Sequence, residues 1–324
     1  MSEPAGVQTQ TFEGEAEYWL LDARLRISQG HLKRVMAILR ELSPVIGKLN
    51  PMKITADVLA RYQQSEKAKG LTDATVNRKT EVVTTILNHS VKHRRIAHCP
   101  FSGFRKLKGK SPEMRYWTMK EAESFLEFTS LRYPSKSKMR WVYVSYLVAL
   151  NTALRAGEIW GLKWLDCDFA NSVIYVRRQF DRVTGSFGQT KGKRGRVVPC
   201  PKTLEDELLA LRTESAKPDD TIFRNEMGQP VCHDNFAKRQ FASDLRLWKG
   251  RQVRFHDLRH TATTLLIASG VDVRTVKDIC GHADITTTMG YVHMLAGSVT
   301  RVAQTFVIEP GKGGAKSGLI RKIS

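Results

Sequence analysis

The 324-residue chain carries 52 Lys and Arg against 32 Asp and Glu, a formal net charge of +20, which points to a polyanionic partner such as DNA rather than to solubility alone. Hydrophobic residues are 41% of the chain, enough for a packed core, but the longest apolar run, 141–150, is too short to span a bilayer, and Glu3, Glu13, Glu15 and Glu17 stand where an export signal would be apolar. Cysteines 99, 167, 200, 232 and 280 are odd in number and widely spaced, which argues against a disulfide framework or a Cys-x-x-Cys metal knuckle and for a cytoplasmic protein without a membrane partner.

Length suggests two domains. Up to about residue 95 apolar residues recur at three- and four-residue spacing, as at Val76, Val83, Ile86 and Leu87, which predicts helices near 13–27, 30–42, 55–69 and 73–95. These define a helical domain over 1–107. A basic linker at 108–115 follows, where LKGKSPEM combines lysines with Gly109 and Pro112. Thr118 and Glu121 form a capping-box pattern that opens a second domain, 116–295, with a helix to about 129 and another over 136–152. SVIYVRRQF and RVVP then predict a small sheet, TKGKRGRVVP at 190–199 has a β-turn-β pattern, and helices return near 203–213 and 233–247. Beyond 295 comes an apolar helical stripe at 296–308 and a Gly/Lys-rich tail.

The densest segment runs from 254 to 293, RFHDLRHTATTLLIASGVDVRTVKDICGHADITTTMGYVH, and predicts about three short helices. His256 and Arg259 are three apart, so a helix projects both from one face, where a neutral donor and a fixed cation converge on one phosphate. Asp284 is a candidate N-cap that places Tyr291 on a separate short helix and leaves His282, nine residues earlier, on a loop. A phenol on such a piece can swing.

HDLRH, then Gly-His, then a Tyr nine residues on followed by Val-His resembles the tyrosine recombinase (phage integrase) family. The likeness extends upstream to NTALRAGEIWGLKWLD at 151–166, where Arg155 and Glu158 match the family's first-arginine motif, and to Lys191, which matches the position of its lysine. Ala153 stands where the family usually has glycine, and Cys280 where it often has leucine. The resemblance implies a mainly α fold with a small antiparallel β-sheet: a helical core-binding domain and a mixed α/β catalytic domain that close as a C-shaped clamp on DNA. It also implies a nucleoid-associated recombinase that works as a homo-tetramer on two double-stranded DNA sites, with accessory DNA-bending proteins possible partners. The 296–308 helix would dock on a neighbouring subunit or fold back on its own domain.

The chemistry follows from the residue types. A free phenol has a pKa near 10, so only on the order of a thousandth is phenolate at neutral pH. Arg155 and Arg259 are permanently charged forks that pair with two non-bridging phosphate oxygens and lower the phenol's pKa. Lys191 is the expected general acid for the leaving 5′ oxygen, since a lysine pKa falls readily on desolvation. His256 and His282 bond the phosphate or move protons, with His256 the expected acceptor of the Tyr291 proton. Glu158 is expected to orient an arginine, and His260 to support the site from behind.

By resemblance Tyr291 attacks the scissile phosphate, giving a 3′-phosphotyrosine, and strand exchange proceeds through a Holliday junction without cofactors. The chain has neither a G-x-x-x-x-G-K-[ST] loop nor a clustered acidic set for two metals, and the zinc-helix reading of HDLRH would put Arg259 beside the metal. Phosphate contacts in the clamp are assigned to Lys92, Arg94, Arg95, Arg105, Lys106, Lys108 and Lys110, and to Arg177, Arg178, Lys193, Arg194 and Arg196. Within the family an integrase of a phage or other mobile element is favoured over a Xer-like chromosome-dimer resolvase. The rivals outside it are a type IB topoisomerase-like enzyme and a non-catalytic DNA-binding regulator.

Overall fold

The computed structural model describes residues 10–109, 114–181, 183–189, 195–225 and 227–292. The chain divides into two compact units, Met1–Glu113 with Val183–Gly185, and Met114–Arg182 with Ser186–Ser324.

The first unit is helical: α1 Phe12–Arg26, α2 Gln29–Leu42, α3 Ala56–Ala68 and α4 Asp73–Lys92, with a π-helical turn at Ser43–Gly47. Thr11, Ser28, Thr55 and Thr72 cap the four helices by accepting a backbone N–H through their hydroxyls. Val83, Ile86 and Leu87 of α4 are fully buried among Phe12, Trp19, Leu42, Ile46 and Leu59, and Val76 is fully buried as well, so the spacing seen in the sequence is the buried face of the helix. Arg95 secures the end of this bundle. Its guanidinium bonds both oxygens of buried Glu15, at 2.8 and 2.9 Å, and lies over the Tyr18 ring. Burial pushes the Glu15 carboxyl up, but the hydrogen bonds from Arg95 and Ser90 outweigh it and hold the group charged. Arg95, expected among the DNA contacts, is paired with this buried carboxylate and keeps part of its side chain exposed.

The second unit begins with α5 Met119–Arg132, where Thr118 and Glu121 close the capping box, and α6 Arg140–Thr152. The buried α6 supplies Val142, Tyr146 and Val148 to the core around Trp117, Phe125, Trp160 and Phe255. After α7 Ala156–Trp160 come β1 Cys167–Asp168, β2 Val173–Val176, β3 Arg178–Asp181, β4 Ser186–Gln189 and β5 Arg196–Pro199. Then follow α8 Lys202–Leu211, the single turn α9 His233–Asn235, a π-helical turn at Phe236–Phe241, α10 Ala242–Trp248, α11 Asp257–Ala268, α12 Val273–Cys280 and α13 Ile285–Val292.

The strands correct one expectation. SVIYVRRQF is broken at Arg177, and its halves join two sheets, β1-β2-β5 and β3-β4. The registers are antiparallel and nearly continuous: Arg178 pairs with Gln189 and Val176 with Arg196. Of the expected β-turn-β unit over 190–199, Arg196–Pro199 is a strand that pairs with β2, and 190–194 lie outside the described residues. Lys110, Lys191, Lys193, Arg194, His293 and the 296–308 stripe lie outside the described residues.

Candidate active site

Four short elements of the second unit converge on one pocket. Helix α6 stops at Ala153, which adopts the left-handed conformation (φ 52°); a glycine would enter that region without the Cβ penalty. The stop turns the chain so that Arg155 becomes the residue before α7. Its N–H donates to Glu158 Oε2 at 2.8 Å, and its guanidinium reaches Glu158 Oε1 at 3.1 Å and the Gly281 carbonyl at 3.0 Å. Helix α11 presents His256 as its N-cap, Arg259 in its first turn and His260 beside it. Arg259 is buried and donates to the carbonyls of Ala153 (2.7 Å) and Cys280 (2.6 Å).

The end of α12 organises the cations. Gly281, at φ 63°, donates to the Asp278 carbonyl, and the His282 N–H to that of Lys277. This is a Schellman ending, which leaves the last carbonyls of the helix facing outward. Three guanidiniums take them in succession: Arg196 bonds the Ile279 carbonyl at 2.7 Å, Arg259 that of Cys280 and Arg155 that of Gly281. Cations at a helix C-terminus also meet the negative end of its dipole.

The negative charge that meets these guanidiniums is on Glu158. It is fully buried and accepts two bonds from Arg196, at 2.9 and 2.7 Å, besides those from Arg155. Desolvation would raise its pKa, but the Arg196 hydrogen bonds and charge, followed by Arg155, bring it below the usual value. Glu158 thus orients two arginines. Arg196, expected on the DNA backbone, points inward because the buried carboxylate holds it. Arg178 pairs with buried Asp166, which also attracts the more exposed Arg177. Lys92, Arg94, Arg105, Lys106 and Lys108 are exposed.

The nucleophile candidate is enclosed. Tyr291, on α13, is 2% exposed, and its hydroxyl lies 2.6 Å from His260 Nδ1. The His282 ring stacks parallel to it at 6.2 Å, and His282 Nδ1 bonds the buried Thr288 hydroxyl at 2.8 Å. Asp284 caps α13 by accepting the Thr286 N–H at 2.9 Å. His256 stands farther out, its ring 5.0 Å from that of His260. The ring that touches the phenol is therefore His260, while His256 was the expected partner.

The electrostatics follow from burial and crowded positive charge. The Tyr291 phenol is pushed up to about 12 by burial, against the opposing pull of Arg259 and Arg155. A lowered phenol pKa was expected from the two arginines, and desolvation outweighs them. Arg259 is brought down to about 10 by burial and by Arg155, and stays charged at neutral pH. Burial and the arginines hold His282 down at about 4, and desolvation lowers His256 and His260. The pocket thus holds a protonated phenol, neutral imidazoles and fixed cations. Each guanidinium has five N–H groups. The bonds named above use two on Arg155 and two on Arg259, so both retain donors for an incoming anion.

The phage integrase family model matches residues 115–297. A XerC-like tyrosine recombinase of Caldanaerobacter subterraneus subsp. tengcongensis is 26% identical over 275 residues, covering 76% of this chain and 69% of the relative. The ICEBs1 integrase of Bacillus subtilis is 26% identical over 277 residues, 79% of this chain and 71% of the relative. Among solved structures, a Tn1549 transposon integrase fragment in complex with transposon right-end DNA superposes with a TM-score of 0.77 at 21% identity, covering 91% of this chain and all of that one. A lambda integrase fragment, a dimer bound to a core site, gives 0.68 at 16% identity, covering 87% and 95%.

Proposed function

The chain belongs to the phage integrase family and is a tyrosine site-specific recombinase, and from that premise we propose that Tyr291 is its nucleophile and that Arg155 and Arg259 hold the scissile phosphate. The observation that carries this reading is the convergence of a buried phenol, three neutral histidines and two guanidiniums with unused donors on one pocket. Fixed donors aimed at the non-bridging oxygens stabilise the charge that builds on phosphorus without reorganising at the moment of reaction. The phenol oxygen attacks, its proton leaves toward a neutral imidazole, and Lys191 protonates the departing 5′ oxygen. The products are a 3′-phosphotyrosine and a free 5′-hydroxyl. That hydroxyl, on a second duplex, reverses the step and joins the strands.

The partner is double-stranded DNA, contacted by the exposed cations near 92–108 and around Arg177. The working form is a tetramer of this chain on two sites, and a mobile-element integrase is the role favoured over chromosome-dimer resolution. No helix among the described residues is long and apolar enough to cross a membrane.

The test uses nicked suicide duplexes recovered from a random-sequence library by covalent capture on the wild-type chain, then two copies of the captured site in one reaction. Strand exchange between the two sites supports the recombinase assignment. Relaxation of a single-site supercoiled plasmid without exchange would support a topoisomerase-like activity instead.

A further inference from the structure

Arg155 has two anionic attractions, the phosphate it is to bind and the buried carboxylate of Glu158 three residues along. The second is always present and fully desolvated. Left with Arg155 as its sole partner, Glu158 would draw that guanidinium into a two-oxygen pair, the strongest arrangement the two groups can make. In the structure Arg155 reaches Glu158 with one nitrogen, at 3.1 Å, whereas Arg196 takes both oxygens at 2.9 and 2.7 Å. Arg196 is itself fixed from behind by the Ile279 carbonyl at 2.7 Å, and the Cβ position of Gly281 lies only 3.0 Å from its side chain, so it has little room to move.

We propose that Arg196 is a positioning residue that satisfies Glu158 in place of Arg155 and so keeps the Arg155 guanidinium available to the scissile phosphate. The inference rests on the assignment of Arg155 to that phosphate. Arg196 touches neither DNA nor the reacting atoms in this role. It works through the charge balance of a buried group: one carboxylate shared by two cations leaves one net positive charge, and the geometry places that charge on the side of Arg155, whose remaining donors are free. Arg196 also begins β5, where the chain returns from the segment that carries Lys191, so the same contact anchors that strand to α12.

The experiment measures single-turnover cleavage of the captured suicide duplex by wild type, R196Q, R196K and the neutral pair E158Q/R196Q. Each is assayed with the ordinary phosphodiester and with a methylphosphonate at the scissile position, which lacks one charged oxygen and so depends less on the guanidinium. Filter binding and thermal melting are recorded alongside. R196Q is expected to slow phosphodiester cleavage by about 100-fold, the scale of losing one preorganised donor, with DNA affinity nearly unchanged and a deficit of about threefold on the methylphosphonate. E158Q/R196Q should recover at least about tenfold over R196Q, because the competing carboxylate is gone. R196K, which keeps the charge but cannot span both oxygens and the carbonyl, should fall between, and it carries the same comparison if R196Q does not fold. Equal deficits on the two substrates, or a double variant no faster than R196Q, would overturn the proposal and reduce Arg196 to a packing residue. Failure of the wild type to form any covalent complex would instead strike the functional assignment on which it rests.

Discussion

His260 Nδ1 and the Tyr291 hydroxyl oxygen lie 2.6 Å apart, the phenol buried and the imidazole half-buried. The ring on the far side of that contact faces Asp257, whose carboxylate is 4.0 Å from Nε2. With the phenol pushed up to about 12 and the imidazole held below its ordinary value by burial, the proton rests on oxygen until attack on phosphorus begins.

A rate law follows. His260 is neutral through the neutral range, so wild-type cleavage should be flat there and fall only as acid protonates the ring, below the usual histidine value. His260→Asn keeps a polar contact but cannot accept the proton. Single-turnover cleavage by this variant should drop about 100-fold at neutral pH and climb with pH as solvent base takes over. A variant that matches wild type across the pH range, while His256→Asn does not, would return the acceptor role to His256.

The two clamp arginines should separate by stability. Arg155→Ala and Arg259→Ala should both lose cleavage by 100-fold or more while keeping most DNA affinity, since many other cations contact the backbone. Arg259→Ala also strips the donors from the carbonyls of Ala153 and Cys280, at a cost of roughly 1–3 kcal/mol per unsatisfied buried group. Its melting temperature should therefore fall well below that of Arg155→Ala, which is read directly by calorimetry.

Gly281 meets two demands at once. Its φ of 63° favours a residue without Cβ, and an added Cβ would come within 3.0 Å of the Arg196 side chain. Gly281→Ala should destabilise the fold by roughly 1–2 kcal/mol from the left-handed backbone alone. By displacing Arg196 it should also slow cleavage more than the stability loss explains. Chemical denaturation and single-turnover kinetics on the same preparation check both.

Much of this was legible in the chain. The apolar spacing of Val76, Val83, Ile86 and Leu87 marked the buried face of α4, and Thr118 with Glu121 marked the start of α5, because helix period and capping chemistry are local. The order of Arg155, His256, Arg259, His282 and Tyr291 identified residues that the fold brings together. Arg196 was hidden for a physical reason: in a basic run, an inward guanidinium bound to a carboxylate 38 residues earlier looks like any solvated cation. The carbonyls of Ile279, Cys280 and Gly281 belong to the backbone, so no side-chain pattern announces them. His256 and His260 are one turn apart on a single face, and only the placement of α13 decides which ring meets the phenol. The break at Arg177 likewise depends on partners far along the chain.

Lys191→Ala should cripple cleavage of an ordinary duplex and recover most of the lost rate on a 5′-phosphorothiolate, whose sulfur departs without a proton. Lys193→Ala should show no such selective recovery. The opposite pattern would move the general acid by two residues.

The most direct measurement is peptide mapping of the covalent complex trapped on a suicide duplex, with wild type and Tyr291→Phe side by side. A nucleotide adduct is expected on the peptide containing Tyr291 and none with the phenylalanine variant. An adduct on any other side chain, or one that persists in Tyr291→Phe, would contradict the Tyr291 assignment.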